Sequence, residues 1–400
     1  MTTYIIIGGY LIALTVFNFY QAKKVKDQDD MMVAGRSLGL TKMVFTLVCT
    51  WIGSGTFIAG AEFAFKAGWS ALWMPAGAWV GIFIIYFLAG KIRTFGQYTI
   101  GDILEVRYGK FARLFGAIAL IIAFTTIVSY QFRAGGFVLN VITDGAIDVA
   151  MGQALTAGFV ILFTALGGMM AVAHTDLPNG IIIVLASIVA VPFVVASSLD
   201  IGVATEVLPA SHFEYFSSDF GNYPFLKAFS YFLATMFLLL GIQSMYQKFY
   251  SAKSPQDAKK AVVLWIIGTI VVETVIIVIA VFASVKYWNV TPAIDPAKIV
   301  LLAARDMTPE PVGMLLIAAS VVVVISTGMN YLLSPSTNII RDIYQRFMKP
   351  EADQNKMVAL QKILIVILGF AAFLMIFIPT ILELEISVLG YAYFAYTIYG

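Results

Sequence analysis

The chain has 400 residues, 60% of them hydrophobic and only 12% charged, whereas a soluble domain carries about 25% charged residues. A net charge of +2 makes no case for nucleic acid. One cysteine (Cys49) and two histidines (His174, His212) exclude a disulfide framework and most Cys/His metal sites.

Apolar runs separated by polar punctuation predict helices near 3–20, 43–65, 69–90, 111–143, 152–173, 177–199, 223–249, 260–286, 311–340, 357–379 and 381–400. Runs of about 20 apolar residues span hydrocarbon, so the chain reads as a polytopic α-helical membrane protein. The first run, from Tyr4 to Tyr20, has no basic stretch before it and no small-residue cleavage site after it. It is therefore expected to be retained as a helix. The second run is interrupted halfway by Gly53-Ser54-Gly55-Thr56. A spanning helix must satisfy its backbone polar groups internally, so such a break is tolerated only against protein or a wet cavity. Secondary transporters build ion and solute sites from such breaks; a small-residue packing seam is the alternative. Trp51, Trp69, Trp73 and Trp79 cluster around it, with Trp51 expected as a pocket wall and the others as interface anchors.

Further along, Arg133 lies within a long apolar run. An arginine at helix centre costs about 2.5–3.5 kcal/mol and must find an anion in a wet cavity or snorkel to the interface. A solute carboxylate would suit its bidentate fork; Glu62 and Glu273 on other helices are the alternative partners, and would make it structural. Asp176, after His174-Thr175, is placed at the start of the helix 177–199, either as an N-cap or as a cation ligand. The run 223–249 contains Gly241, Gln243 and Gln247. In the run 311–340, Val323, Ser326 and Thr327 fall on one helix face and offer hard oxygen ligands to an alkali ion. The last run ends at Tyr399-Gly400 without a polar tail, so further helices are expected beyond residue 400.

Loop charges orient these helices. The segments 21–42, 91–113, 248–260 and 341–356 hold most of the Lys and Arg, including Lys248. The loops near 144–151 and 200–222 hold only acidic residues among the charged types. By the positive-inside rule the basic loops are cytoplasmic and the amino terminus is outside, in a plasma membrane. Helices two to six and seven to eleven then form two sets of five that start on opposite sides, the arithmetic of an inverted repeat. The expected divisions are a leading helix and basic loop over 1–40, a first five-helix repeat over 41–200 and a second over 222–400. A second break is expected in 223–249, which opens the second set.

Four stretches carry a family resemblance: Asp29-Asp30-Met31-Met32-Val33-Ala34-Gly35-Arg36, Thr50 to Phe57, Leu166 to Asp176, and Ser326-Thr327 sixteen residues before Asp342-Ile343-Tyr344. In this order and spacing the chain resembles the sodium:solute symporter family. The resemblance implies a five-plus-five inverted-repeat (LeuT-type) all-α core with one extra leading helix, and sodium-driven import of a small organic solute by alternating access. It implies a sodium site at the carbonyls of Cys49, Ile52 and Val323 with the hydroxyls of Ser326 and Thr327, and a second sodium through Asp176 with the same Ser/Thr pair. Implied solute contacts are Trp51, Gly53 and Thr56 on the unwound helix, Gln131 and Arg133 on the third core helix, and Gln243. The expected solute carries a carboxylate, as in an amino acid or monocarboxylate. Ile242 stands where a choline-type aromatic cage would need tryptophan.

Two alternatives stand beside this: a symporter-like membrane sensor module and a proton-coupled transporter, in which a carboxylate titrates in place of a sodium ion. A membrane enzyme is not expected, because no H-E-x-x-H, nucleophile elbow or phosphate loop occurs.

Overall fold

The computed structural model describes residues 2–351 and 353–378. The expected helix 381–400 lies outside the described residues. In chain order the helices are α1 (Thr2–Ala22), α2 (Gln28–Val33), α3 (Leu40–Trp51), α4 (Ala61–Ala67), α5 (Trp73–Phe95), α6 (Ile100–Tyr108), α7 (Lys110–Ile142) and α8 (Val149–Leu199). There follow α9 (Ala204–Val207), α10 (Pro224–Gly241), α11 (Gln243–Ser251), α12 (Pro255–Tyr287), α13 (Ile299–Asp306), α14 (Glu310–Asn338) and α15 (Gln354–Met375). Seven helical stretches among the described residues are long and apolar enough to cross a membrane.

Two apolar runs are broken, the shorter one of α3 and the membrane-length one of α10 and α11. Helix α3 stops at Trp51, where Ile52 turns extended (φ −73°, ψ 99°), and the chain resumes through a wide helical turn at Gly55–Gly60 into α4. Helix α10 stops at Gly241, Ile242 turns extended (φ −70°, ψ 108°), and α11 continues. Each broken crossing is followed by a long helix, α5 or α12, and then by a short one, α6 or α13. The sequence of element types thus recurs in the two halves.

The expected pair of helices at 152–173 and 177–199 is present within α8, but the break between them falls at Gly168 (φ 50°, ψ −146°) and not at 174–176. That backbone state is closed to other residues, and a Cβ there would also meet Met31 Sδ at 2.4 Å. The correction moves Asp176 from a helix start to the helix interior, about two turns past the bend.

Small residues let the helices approach. A Cβ on Gly77 of α5 would stand 1.9 Å from the Phe232 carbonyl of α10, and one on Gly135 of α7 would stand 2.3 Å from Thr156 Oγ1 of α8. Close backbone approach of this kind is how helices associate in lipid. At the end bearing the basic loops, Arg113 of α7 is nearly buried and joins Asp102 and Glu105 of α6 and Asp342 beyond α14 at 2.7–2.8 Å. Thr99 and Asn338 also donate to Asp342, at 2.6 and 2.7 Å. At the opposite end the segment after α8 folds over the turn between α4 and α5: Ser70 donates to the Glu214 carbonyl at 2.8 Å.

Candidate functional site

Both breaks release backbone groups inside the bundle, and the first lies against α14. Thr327 Oγ1 sits 3.0 Å from the Cys49 carbonyl and 3.1 Å from that of Ile52. Val323 is buried one turn back on the same helix. The backbone at Gly53 presses on this hydroxyl so closely that a Cβ would lie 2.7 Å from Thr327 Cγ2. Ser326, the neighbouring hydroxyl, donates to Asp176 Oδ1 at 2.5 Å. Two carbonyls and a hydroxyl converging in a dry interior are hard oxygen ligands, the donor type an alkali ion needs when it sheds water.

Asp176 is wholly buried. Its Oδ2 accepts from Thr46 Oγ1 at 2.5 Å and from Asn330 Nδ2 at 3.3 Å. The amide of Asn330 passes this contact on, because its Oδ1 accepts from Lys248 Nζ. Lys248, expected in a basic loop, is instead fully buried on α11 with Met169 Sδ 3.0 Å from its ammonium. Sequence alone offers little sign of this, since Lys248 lies only a few residues from Lys253.

The solute contacts expected from the sequence separate. Trp51 and Thr56 line a cavity beside the first break, together with Gly55, Gly60, Met74, Pro75, Thr235, Glu273 and Ile277. Gly53 belongs to the Thr327 contact. Gln131 reaches the break itself, where its Oε1 accepts from the Ser54 amide at 3.2 Å. Among the described residues its Nε2 is buried without a partner, as is Ser54 Oγ. Arg133 is half-buried on α7 and is absent from the cavity lining. Gln243 also stands apart: its Oε1 accepts from the Ile100 amide at 2.7 Å and its Nε2 donates to the Tyr98 carbonyl at 3.1 Å, so it anchors the turn before α6.

Glu273 is the polar centre of the cavity. It is 5% exposed; its Oε1 accepts from Trp51 Nε1 at 2.9 Å and its Oε2 from Trp79 Nε1 at 2.7 Å. Thr56 Oγ1 lies 3.5 Å from Oε1. Among the described residues no cation pairs with this carboxylate. Its signal in the sequence is an acid within the apolar run VVETVIIV of α12.

Comparison with known proteins supplies the frame. The family model described as sodium:solute symporter family matches residues 31–398. The osmoregulated proline transporter OpuE of Bacillus subtilis is 26% identical over 406 aligned positions, covering 97% of this chain and 80% of the relative. The high affinity choline transporter 1 of Homo sapiens is 25% identical, covering 92% of this chain and 66% of the relative. In structure, a Na+-coupled sialic acid symporter in a substrate-bound outward-open state superposes with a TM-score of 0.83 at 19% identity. That match covers 100% of this chain and 86% of the neighbour. MhsT in complex with L-phenylalanine matches with a TM-score of 0.63 at 16% identity, over 89% and 87% of the two chains. These likenesses give the five-plus-five LeuT-type fold.

Proposed function

The chain belongs to the sodium:solute symporter family and is a sodium-coupled symporter of a small solute, and from that premise we propose that the solute is an amino acid or a like zwitterion. The observation that carries this is Glu273. A buried carboxylate held only by neutral donors is costly, and a cation beside it repays much of that cost. An ammonium group of the solute would supply that cation. The carboxylate of the same solute would take the hydrogen bonds that Ser54 Oγ and Gln131 Nε2 lack. This replaces Arg133 as the anion-binding group and keeps the expectation of a carboxylate-bearing solute. Proline, the solute named for one relative, has both groups; choline, named for another, has only the cationic nitrogen.

In this reading sodium binds at the Cys49, Ile52 and Val323 carbonyls with Thr327 and Ser326, so that ion and solute share the unwound segment. The repeats divide at 41–200 and 222–400, and the amino terminus faces outward from a cell membrane.

The test is uptake into proteoliposomes, with and without an inward sodium gradient, of three labelled probes: proline, choline and a monocarboxylate without an amine. Sodium-stimulated proline uptake that Glu273→Gln abolishes is the expected result. Uptake of the amine-free acid, untouched by Glu273→Gln, would refute the assignment.

A further inference from the structure

The buried cluster around Asp176 contains a charge that an additional sodium site does not need. Lys248 on α11, Asp176 on α8, Asn330 and Ser326 on α14, and Thr46 on α3 are all at most 1% exposed. One side of Asn330 donates to the carboxylate and the other accepts from the ammonium, so a single amide bridges the two charges. The ammonium has three N–H donors, yet its hydrogen-bond partners are Asn330 Oδ1 and the weak acceptor Met169 Sδ. Its electrostatic partner is therefore Asp176. The other titratable groups packed here are Cys49, whose Sγ lies 3.3 Å from the Asp176 carbonyl, and Tyr10, whose hydroxyl donates to Asn179 at 2.8 Å.

We infer that Lys248 is a tethered cation that takes the place of a second sodium at Asp176. Counting charge makes the case. Lysine and aspartate cancel, and a sodium at the Cys49 and Ile52 carbonyls leaves the cluster at one positive charge. A further sodium at Asp176 and Ser326 would leave two positive charges uncompensated in a dry interior, where unpaired charge is most costly. Geometry agrees with the count: three donors already converge on the carboxylate oxygens, from Ser326, Thr46 and Asn330. The ammonium cannot leave with the solute, so it fills the position in every cycle and adds nothing to ion transport.

The inference rests on the sodium reading of the Thr327 site, and the experiment separates the two. Sodium bound per protein is counted by equilibrium dialysis with radioactive sodium on the purified full chain, and the melting temperature is followed against sodium concentration. Wild type and Lys248→Arg are expected to bind one sodium. Lys248→Met is expected to bind two, with a steeper rise of melting temperature, because each bound ion adds its own mass-action stabilisation. The double variant Lys248→Met with Asp176→Asn should return to one. Two ions in wild type, or one in Lys248→Met, would overturn the role of Lys248. No ion in any form would instead refute the Thr327 site. Should Lys248→Met fail to fold without sodium, it is folded in high sodium and its bound ions are counted after dialysis. Rescue of folding by sodium itself supports the inference.

Discussion

At the scale of single residues the proposed sodium site depends on the Thr327 hydroxyl and on the backbone at Gly53 that packs against it. Thr327→Ala removes the hydroxyl that faces both released carbonyls, and losing one such ligand should weaken sodium activation by about tenfold or more. Gly53→Ala tests the same site without touching a ligand. Its Cβ would enter within 2.9 Å of Thr327 Oγ1 and must push that hydroxyl aside. It should therefore resemble Thr327→Ala in sodium affinity, measured by sodium-dependent uptake, while an alanine at the more open Gly90 should not. Much of this is readable in the sequence: glycines and hydroxyls in an apolar run weaken a helix wherever it lies, and Val323, Ser326 and Thr327, at i, i+3 and i+4, follow one side of a helix by geometry alone. The roles of Glu273 and Lys248 are not. Both depend on what other helices bring up to them, and the short sequence distance from Lys248 to a basic loop says nothing of burial.

Among elements, α5 and α10 approach closely where Gly77 meets the Phe232 backbone. Gly77→Ala must separate the helices, at about 1–3 kcal/mol for overpacking. Gly90→Ala, also on α5 but with a Cβ 3.6 Å from its nearest neighbour, the Pro255 carbonyl of α12, should be neutral or raise stability by up to about 1 kcal/mol through helix propensity. Thermal unfolding in detergent compares the pair, and equal effects would contradict the packing argument. The broken helices are legible because two sequence signals coincide, a polar interruption and a topology that predicts where its counterpart falls. The bend in α8 is less so. Gly167-Gly168 marks it, but His174-Thr175-Asp176 is the more polar stretch and attracts the boundary. The backbone bends where only glycine fits, and the polar residues continue as helix because Thr46, Ser326 and Asn330 satisfy Asp176 from outside it.

For the whole molecule, the charged cluster at the basic-loop end shares no residue with the cavity lining and ties together α6, α7 and the segment after α14. Arg113→Met leaves Asp102 and Asp342 without their shared cation and should lower stability by about 3–5 kcal/mol. It should also admit thiol reagents from that end to a cysteine placed near Asn338, which wild type excludes. Burial alone would raise the Glu105 pKa, but hydrogen bonds from Arg346 and Arg113 outweigh it and hold the group below its ordinary 4.5. Because the folded value is the lower one, Glu105 contributes in full above 4.5 and its share is lost as pH falls through the depressed value. A melting temperature that rises on acidification from that point would contradict the pairing. The two indoles on Glu273 have a separate consequence. Trp51 and Trp79 are two of only six tryptophans in the chain, and both donate to the same carboxylate. Any guest that draws on Glu273 alters the surroundings of a third of the protein's tryptophans at once. The unlabelled protein thereby carries an optical gauge of its own occupancy, readable as a shift in emission on a stopped-flow timescale before any transport has taken place.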